Sequence, residues 1–276
     1  MASTSLPRCL DVAVRAARQA GALLAAHVGA PRVVQTKRSP IDLVTDVDRA
    51  SELLIHHRLL KAFPDHGFYG EEHPALRETA PYQWIVDPLD GTMNFVHGLP
   101  LFGVSIALTH RGAPVVGVIY DPMRRELFWA IRGRGAFANG RRLAVSKTPR
   151  LETALLSTGF SSTFRRDPHR SLAWFQAFES RSRAVRRIGS TVLSLAYLAA
   201  GRLDGFYEQS LGAWDMAAGL LLVEEAGGRT SDFAGGPTHL AEGQLVASNR
   251  RIHREMLQIL RSTQYIERPR PAPGRR

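Results

Sequence analysis

WIVDPLDGTMNF, residues 84–95, is an apolar run that ends in two aspartates. Trp84, Ile85 and Val86 suit a buried strand, Asp87 and Asp90 close it, and Gly91-Thr92 opens a short helical pattern over TMNFVHG. Leaving such a strand, both carboxylates face the concave end of a sheet, near each other. Two anions so placed either share a proton or hold a cation. No His/Cys set at zinc spacing accompanies them, so an oxygen-only cluster points to a hard ion, and magnesium suits a few carboxylates plus phosphate oxygens. Backbone N–H groups at a helix start favour an anion, which places phosphate oxygens on the Gly91 and Thr92 amides. Carboxylates, hard cations and an amide cradle together suit phosphoester hydrolysis, in which metals lower the pKa of water and stabilise the departing alkoxide.

Other acidic positions stand out by placement: Asp46 and Asp48 in DLVTDVDR, Glu71 and Glu72 in YGEEH, and Asp215 in GAWDMAAG. Each alone has an ordinary reading. Asp48 could cap a helix, Glu71 and Glu72 could be solvated loop charges, Asp90-Gly91 could be a turn, and Asp215 could favour a helix N-terminus. The Asp87/Asp90 pair resists that treatment, and the others gain interest from it.

Working outward, residues 10–28 read as an amphipathic helix closed by Gly29 and Pro31, and a second helix runs from Asp48 to Phe63 before Pro64. Between them VVQTKRSPIDLVTD is β-rich with a turn. Strands follow at Leu101–Thr109, PVVGVIYD and ELFWAIRGRGAFANGRRLAV, with Asn139-Gly140 as a hairpin signal. From Leu151 the pattern alternates β then α: TALLSTG, SLAWFQAFES, TVLSLAYLAAG, LDGFYE, WDMAAGLLLVEEAGG and QLVASN. The expected architecture is stacked layers of helix and sheet in two connected halves, 1–147 and 148–265, with a disordered basic tail over 266–276.

The chain has 276 residues, 44% of them hydrophobic, and a formal net charge of +11. No run of eighteen apolar residues suggests a membrane span and no signal-peptide pattern opens the chain, so the expectation is a cytoplasmic protein with no membrane association. Cys9 is the single cysteine and has no internal disulfide partner. Lys37, Lys61 and Lys147 are the only lysines, so arginine carries the positive charge. Arginine favours planar anions such as phosphate. The densest clusters are Arg181–Arg187 and Arg132, Arg134, Arg141 and Arg142; interleaved aromatics of the kind that stack on bases are lacking. His56, His57 and His97 read as surface or packing residues.

DLVTDVDR, GEE, WIVDPLDGTMNF and WDMAAG, in that order and spacing, resemble the inositol monophosphatase family of magnesium-dependent, lithium-sensitive phosphatases. The likeness runs from about Leu10 to Leu260 and is greatest for the bacterial inositol-1-monophosphatases of the extragenic-suppressor type, through YDPMRRELF, RGRGAFANG, AYLAAGRLDGFYE and EEAGGRTSDF. The resemblance implies an αβαβα sandwich of the inositol monophosphatase/fructose-1,6-bisphosphatase type, a homodimer, and two to three Mg2+ ions per site. Carried over residue by residue, Glu71, Asp87 and the Leu89 carbonyl hold one magnesium. Asp87, Asp90 and Asp215 hold a second, and Glu71 reaches a third. Glu71 and Thr92 orient the attacking water, Asp48 hydrogen-bonds Thr92, and Gly91 and Thr92 take the phosphate. Glu208 contacts a substrate hydroxyl, Asp90 and Asp215 also border the substrate, and Lys37 is a basic residue near the metal-site loop. Met93 stands where many members have threonine, and Asp46 where many are neutral.

The substrate so implied is inositol 1-phosphate or a similar small polyol phosphate. Histidinol phosphate, fructose 1,6-bisphosphate and 3′-phosphoadenosine 5′-phosphate remain open. Suppressor-type relatives are also associated with RNA polymerase antitermination complexes, which leaves a regulatory contact with RNA or a transcription complex as a reading of a different class.

Overall fold

Alternation along residues 82–90 sets the layering. Trp84 and Val86 pack into one core and Ile85 into another, so this strand is buried on both faces. In the computed structural model of the chain, residues 4–30, 33–37, 43–160, 164 and 168–263 are described. The expected tail over 266–276 lies outside them.

In chain order the first elements are α1 (Leu6–His27), β1 (Val34–Thr36), β2 (Leu43–Thr45), α2 (Asp46–Ala62), β3 (Gly67–Gly70) and β4 (Tyr82–Asp90). Next come α3 (Thr92–Val96), β5 (Gly103–His110), β6 (Ala113–Asp121), β7 (Glu126–Ile131), β8 (Gly135–Ala138) and β9 (Arg141–Arg142). A 3-10 turn at Leu151–Thr153 leads to β10 (Leu155–Thr158), α4 (Pro168–Glu179), β11 (Ala184–Arg186), α5 (Thr191–Ala199) and β12 (Gly205–Gln209). The chain then forms α6 (Ala213–Glu225), β13 (Arg229–Ser231), β14 (Gln244–Ser248) and α7 (His253–Ser262).

β3 to β9 make a seven-stranded sheet in sequence order, parallel only between β3 and β4. The second sheet has five strands in the order β11-β10-β12-β14-β13. Small residues on α1 (Cys9, Ala13, Ala16, Ala17, Ala20) let it lie close on one face of the large sheet, with Ile55 and Leu59 of α2 beside it. α5 and α6 fill the space between the sheets, packing on Ile119 and Phe128 from one side and Phe206 and Leu245 from the other. α4 and α7 cover the far face of the small sheet over Leu156, Tyr207 and Val246. The result is five layers, αβαβα, as expected. Gly117 shows how tightly they stack: a Cβ there would meet the Ala218 carbonyl of α6 at 2.9 Å.

The Asn139-Gly140 hairpin joins β8 and β9, with φ of 46° and 81° matching a type I′ turn. The β-then-α rhythm of the second half needs correction. β10 pairs in parallel with β11 and β12, but β14 runs antiparallel to β12 and β13. β3, β11 and β13 are three or four residues long, too short for a periodic signal, and the sequence reading passed over them and α7. β11 also takes Ala184–Arg186 of the arginine cluster into a sheet edge.

Candidate active site

β4 does not stop at Asp87; its register against β5 shifts between Asp87 and Asp90, which gather at the bulge. Pro88 offers no N–H to the ladder, and Ser51 of α2 donates to its carbonyl at 3.0 Å, holding the bulge from outside. The Leu89 amide donates to Asp87 Oδ1 at 3.0 Å. Gly91 then turns the chain with φ +92°, and α3 begins at Thr92. A Cβ on Gly91 would lie 2.9 Å from the Leu101 carbonyl oxygen and 3.2 Å from that of Gly189. Gly91→Ala is therefore expected to destabilise the fold by about 2 kcal/mol or more, since the left-handed conformation alone costs about 1–2. The midpoint of urea unfolding reads this, and an unchanged midpoint would remove the constraint assigned to this turn.

Asp215 enters from α6, where its Oδ2 accepts the Gly212 amide at 2.6 Å. Asp87, Asp90 and Asp215 each offer an oxygen, all within 4.8 Å of one another. Glu71 follows β3, its amide bonded to the Val86 carbonyl at 3.2 Å. Lys37 Nζ donates to Glu71 at 2.7 Å and also to Glu72. Behind that loop Glu52, fully buried, accepts the Glu72 amide at 2.9 Å and faces His73 Nδ1 at 2.6 Å.

Burial and the Glu71, Asp90 and Asp215 charges push Asp87 well above the ordinary carboxylate range. Asp215 rises in the same way, through burial and then Asp90 and Glu71. Burial raises Glu71 too, against the opposing Lys37 charge. Asp90 is pushed up to about 6 by burial, with hydrogen bonds from Ser190 and Val192 opposing. Such a donor set could hold a hard divalent cation: converging carboxylates, costly to ionise together without a positive charge between them.

Asp48 is not the helix cap. Thr45 caps α2, and Asp48 is the reciprocal member of a capping box, its Oδ2 accepting the Thr45 amide at 2.9 Å. Its other oxygen faces the Thr92 hydroxyl at 3.2 Å, the contact that the resemblance implies. That hydroxyl also lies 3.1 Å from the Leu89 carbonyl. Asp48 is nearly inaccessible, and burial lifts it to about 6 despite the Thr45 hydrogen bonds.

Glu71, Asp87, Asp90, Thr92 and Asp215 line one hollow of about 220 Å3, with Met93 at its rim. Asp90 and Gly189 are shared with a second cavity, of about 140 Å3, lined by Thr158, Phe160, Arg187, Thr191 and Glu208. Glu208 is buried there with the Thr191 hydroxyl 3.1 Å from its Oε2, and burial raises it to about 8. The Arg187 guanidinium lies over the Phe160 ring, 4.2 Å from its centroid. Asp46 stays outside, accepting the Val33 amide at 3.3 Å. His56 packs edge-on against Phe68, and His57 and His97 are exposed; none lines either cavity.

Sequence reasoning passed over Ser51, Glu52, Phe160 and Ser190. Ser190 alone carried a local signal, as a serine directly before the apolar helical run TVLSLAYLAA.

The layered fold carries an acidic hollow beside a small polar cavity, an arrangement suited to phosphoester chemistry, and comparison with known proteins identifies its family. The family model described as "Inositol monophosphatase family" matches residues 6–265. The chain is 46% identical over 256 residues to the Nus factor SuhB of Pseudomonas aeruginosa, covering 90% of this chain and 94% of that protein. It is 45% identical over 254 residues to the inositol-1-monophosphatase of Mesorhizobium japonicum, covering 91% and 96%. The inositol monophosphatase structure from Anabaena superposes with a TM-score of 0.87 at 38% identity, covering 95% of this chain and 99% of that one. The chain belongs to the inositol monophosphatase family and is a phosphatase. The family uses metal ions, and no helix among the described residues is long and apolar enough to cross a membrane.

Proposed function

We propose that this chain is a magnesium-dependent phosphomonoesterase acting on inositol 1-phosphate or a similar small polyol phosphate. One observation carries the reading: the carboxylate hollow and the Glu208 cavity meet at Asp90 and Gly189. A phosphate in the first therefore reaches its alcohol into the second. That second cavity, about 140 Å3, is below the roughly 300 Å3 at which pockets for larger ligands begin. It favours a polyol over the nucleoside of 3′-phosphoadenosine 5′-phosphate.

Glu71, Asp87 and the Leu89 carbonyl would hold one magnesium; Asp87, Asp90 and Asp215 would hold another, and Glu71 would reach a third. Ions held by these residues would neutralise phosphoryl charge and lower the pKa of water. The Gly91 and Thr92 amides hold the phosphate oxygens. Asp48 fixes the Thr92 hydroxyl, whose lone pair, with Glu71, orients the attacking water. Water oxygen bonds to phosphorus, the ester P–O bond breaks, and the alcohol oxygen leaves with a proton, giving alcohol and phosphate. Glu208 and the Thr191 hydroxyl hold a hydroxyl of the departing alcohol. Lithium sensitivity, a homodimer and a cytoplasmic location are part of the same proposal, which the family membership supports.

Phosphate release from inositol 1-phosphate, histidinol phosphate, fructose 1,6-bisphosphate and 3′-phosphoadenosine 5′-phosphate, with and without magnesium, tests this. Magnesium-dependent release led by inositol 1-phosphate is the expected result, and silence from folded protein overturns it. Glu208→Gln is expected to lower kcat/KM for inositol 1-phosphate about tenfold relative to the rest of the panel, the worth of one strong hydrogen bond. Unchanged ratios would remove the role of Glu208.

A second reading, a contact with RNA or a transcription complex, is favoured by the Nus factor name of the Pseudomonas relative and by exposed Arg181, Arg183, Arg186 and Arg187. RNA binding that weakens steeply with salt would support it.

A further inference from the structure

Asp90 belongs to the first sheet, yet its carboxylate is held by the second half of the chain. Oδ2 accepts the Ser190 hydroxyl and, at 3.0 Å, the Val192 amide. Ser190 also acts as an acceptor: its oxygen takes the Leu193 amide at 3.2 Å and so caps α5. The serine is buried, and its place is fixed from the other side too. Asn94 of α3 donates to the Ile188 carbonyl at 3.0 Å and to the Leu101 carbonyl at 2.7 Å, tying the loop before Ser190 to the turn after Asp90.

We propose that Ser190 is a positioning residue for the phosphatase reaction: it locks Oδ2 of Asp90 against the start of α5 and so fixes this carboxylate beside Asp87 and Asp215. The Ser190 hydroxyl and Val192 amide fall on one oxygen and the Thr191 amide also donates to the carboxylate, so it cannot rotate without breaking a buried hydrogen bond. Groups that orient a metal ligand from behind are worth about 10–100-fold in affinity. The proposal rests on the cation-binding reading of the cluster above. The bland alternative is that Ser190 matters only as a helix cap, and glycine separates the two. At an N-cap position glycine caps nearly as well as serine, whereas alanine caps markedly worse.

The test is Mn2+ binding to the full chain by calorimetry, in wild type and in Ser190→Ala, Ser190→Gly and Ser190→Thr. Ala and Gly are expected to weaken one of the binding events at least about tenfold and by equal amounts, leaving the others within about twofold; Thr, which keeps the hydroxyl, restores it. Wild-type affinity in the folded Gly variant overturns the proposal, as does an equal fall at every event, which would mean general loosening. Wild-type protein that binds no Mn2+ would instead overturn the cation reading itself.

Discussion

Asp90→Asn is expected to lower turnover of a phosphomonoester about a thousandfold at saturating magnesium while the protein stays folded. The amide keeps one carbonyl oxygen, and the Ser190 hydroxyl and Val192 amide, both donors, select it. The NH2 group then replaces the other carboxylate oxygen in the crowded Asp87, Asp90 and Asp215 cluster, presenting hydrogens where a cation needs an electron pair. Losing several kcal/mol of transition-state charge stabilisation corresponds to about three powers of ten in rate. Removing one anion from a crowded cluster also relieves repulsion, so the metal-free variant is expected to melt above the metal-free wild type. Steady-state phosphate release and thermal melting in a chelator read the two effects separately. Folded Asp90→Asn with near-normal turnover would sink the cation-site assignment.

Much of the candidate site was legible because its residues sit in short local motifs. Asp87, Asp90, Gly91 and Thr92 are contiguous, and Asp48, Glu71 and Asp215 each adjoin a helix or turn signal. The layered fold followed from periodicity, since α1 and α6 are long and β4 to β7 strongly apolar. What was hidden depends on contacts distant in sequence. Ser190 meets Asp90 a hundred residues away, and Glu52 reaches the Glu71 loop from inside α2, where a buried glutamate looks like any helix-surface charge. Antiparallel pairing of β12 with β14 was equally invisible, because direction depends on how the chain returns after α6 and not on composition. Asp48 illustrates a third kind of limit. Its sequence position fits an N-cap, and only the Thr45 geometry shows that the capping role belongs one turn earlier.

The metal-free protein is expected to lose stability as pH rises from about 5 to 8.5, the reverse of common behaviour for carboxylate-rich folds. The sign follows from where the protons are. Unfolded, Asp and Glu titrate near 4. Folded without a cation, Asp48 and Asp90 titrate at about 6 and Glu208 at about 8, with Asp87, Asp215 and Glu71 raised as well. Between those limits the native state binds more protons than the unfolded chain, so raising the pH favours unfolding. Each unit of displacement is worth about 1.4 kcal/mol, which Lys37 offsets only at Glu71 and Glu72. For a chain of this size the drop in melting temperature is expected to exceed about 10 °C. Magnesium opposes it, because a bound cation replaces the protons. Its stabilising increment is therefore expected to be small at pH 5 and to grow steadily to pH 8.5, as cation and proton compete for the same oxygens. Melting curves in chelator and in millimolar magnesium across this range measure both slopes. Parallel curves, with an increment independent of pH, would show that the cation does not displace these protons and that its site lies elsewhere.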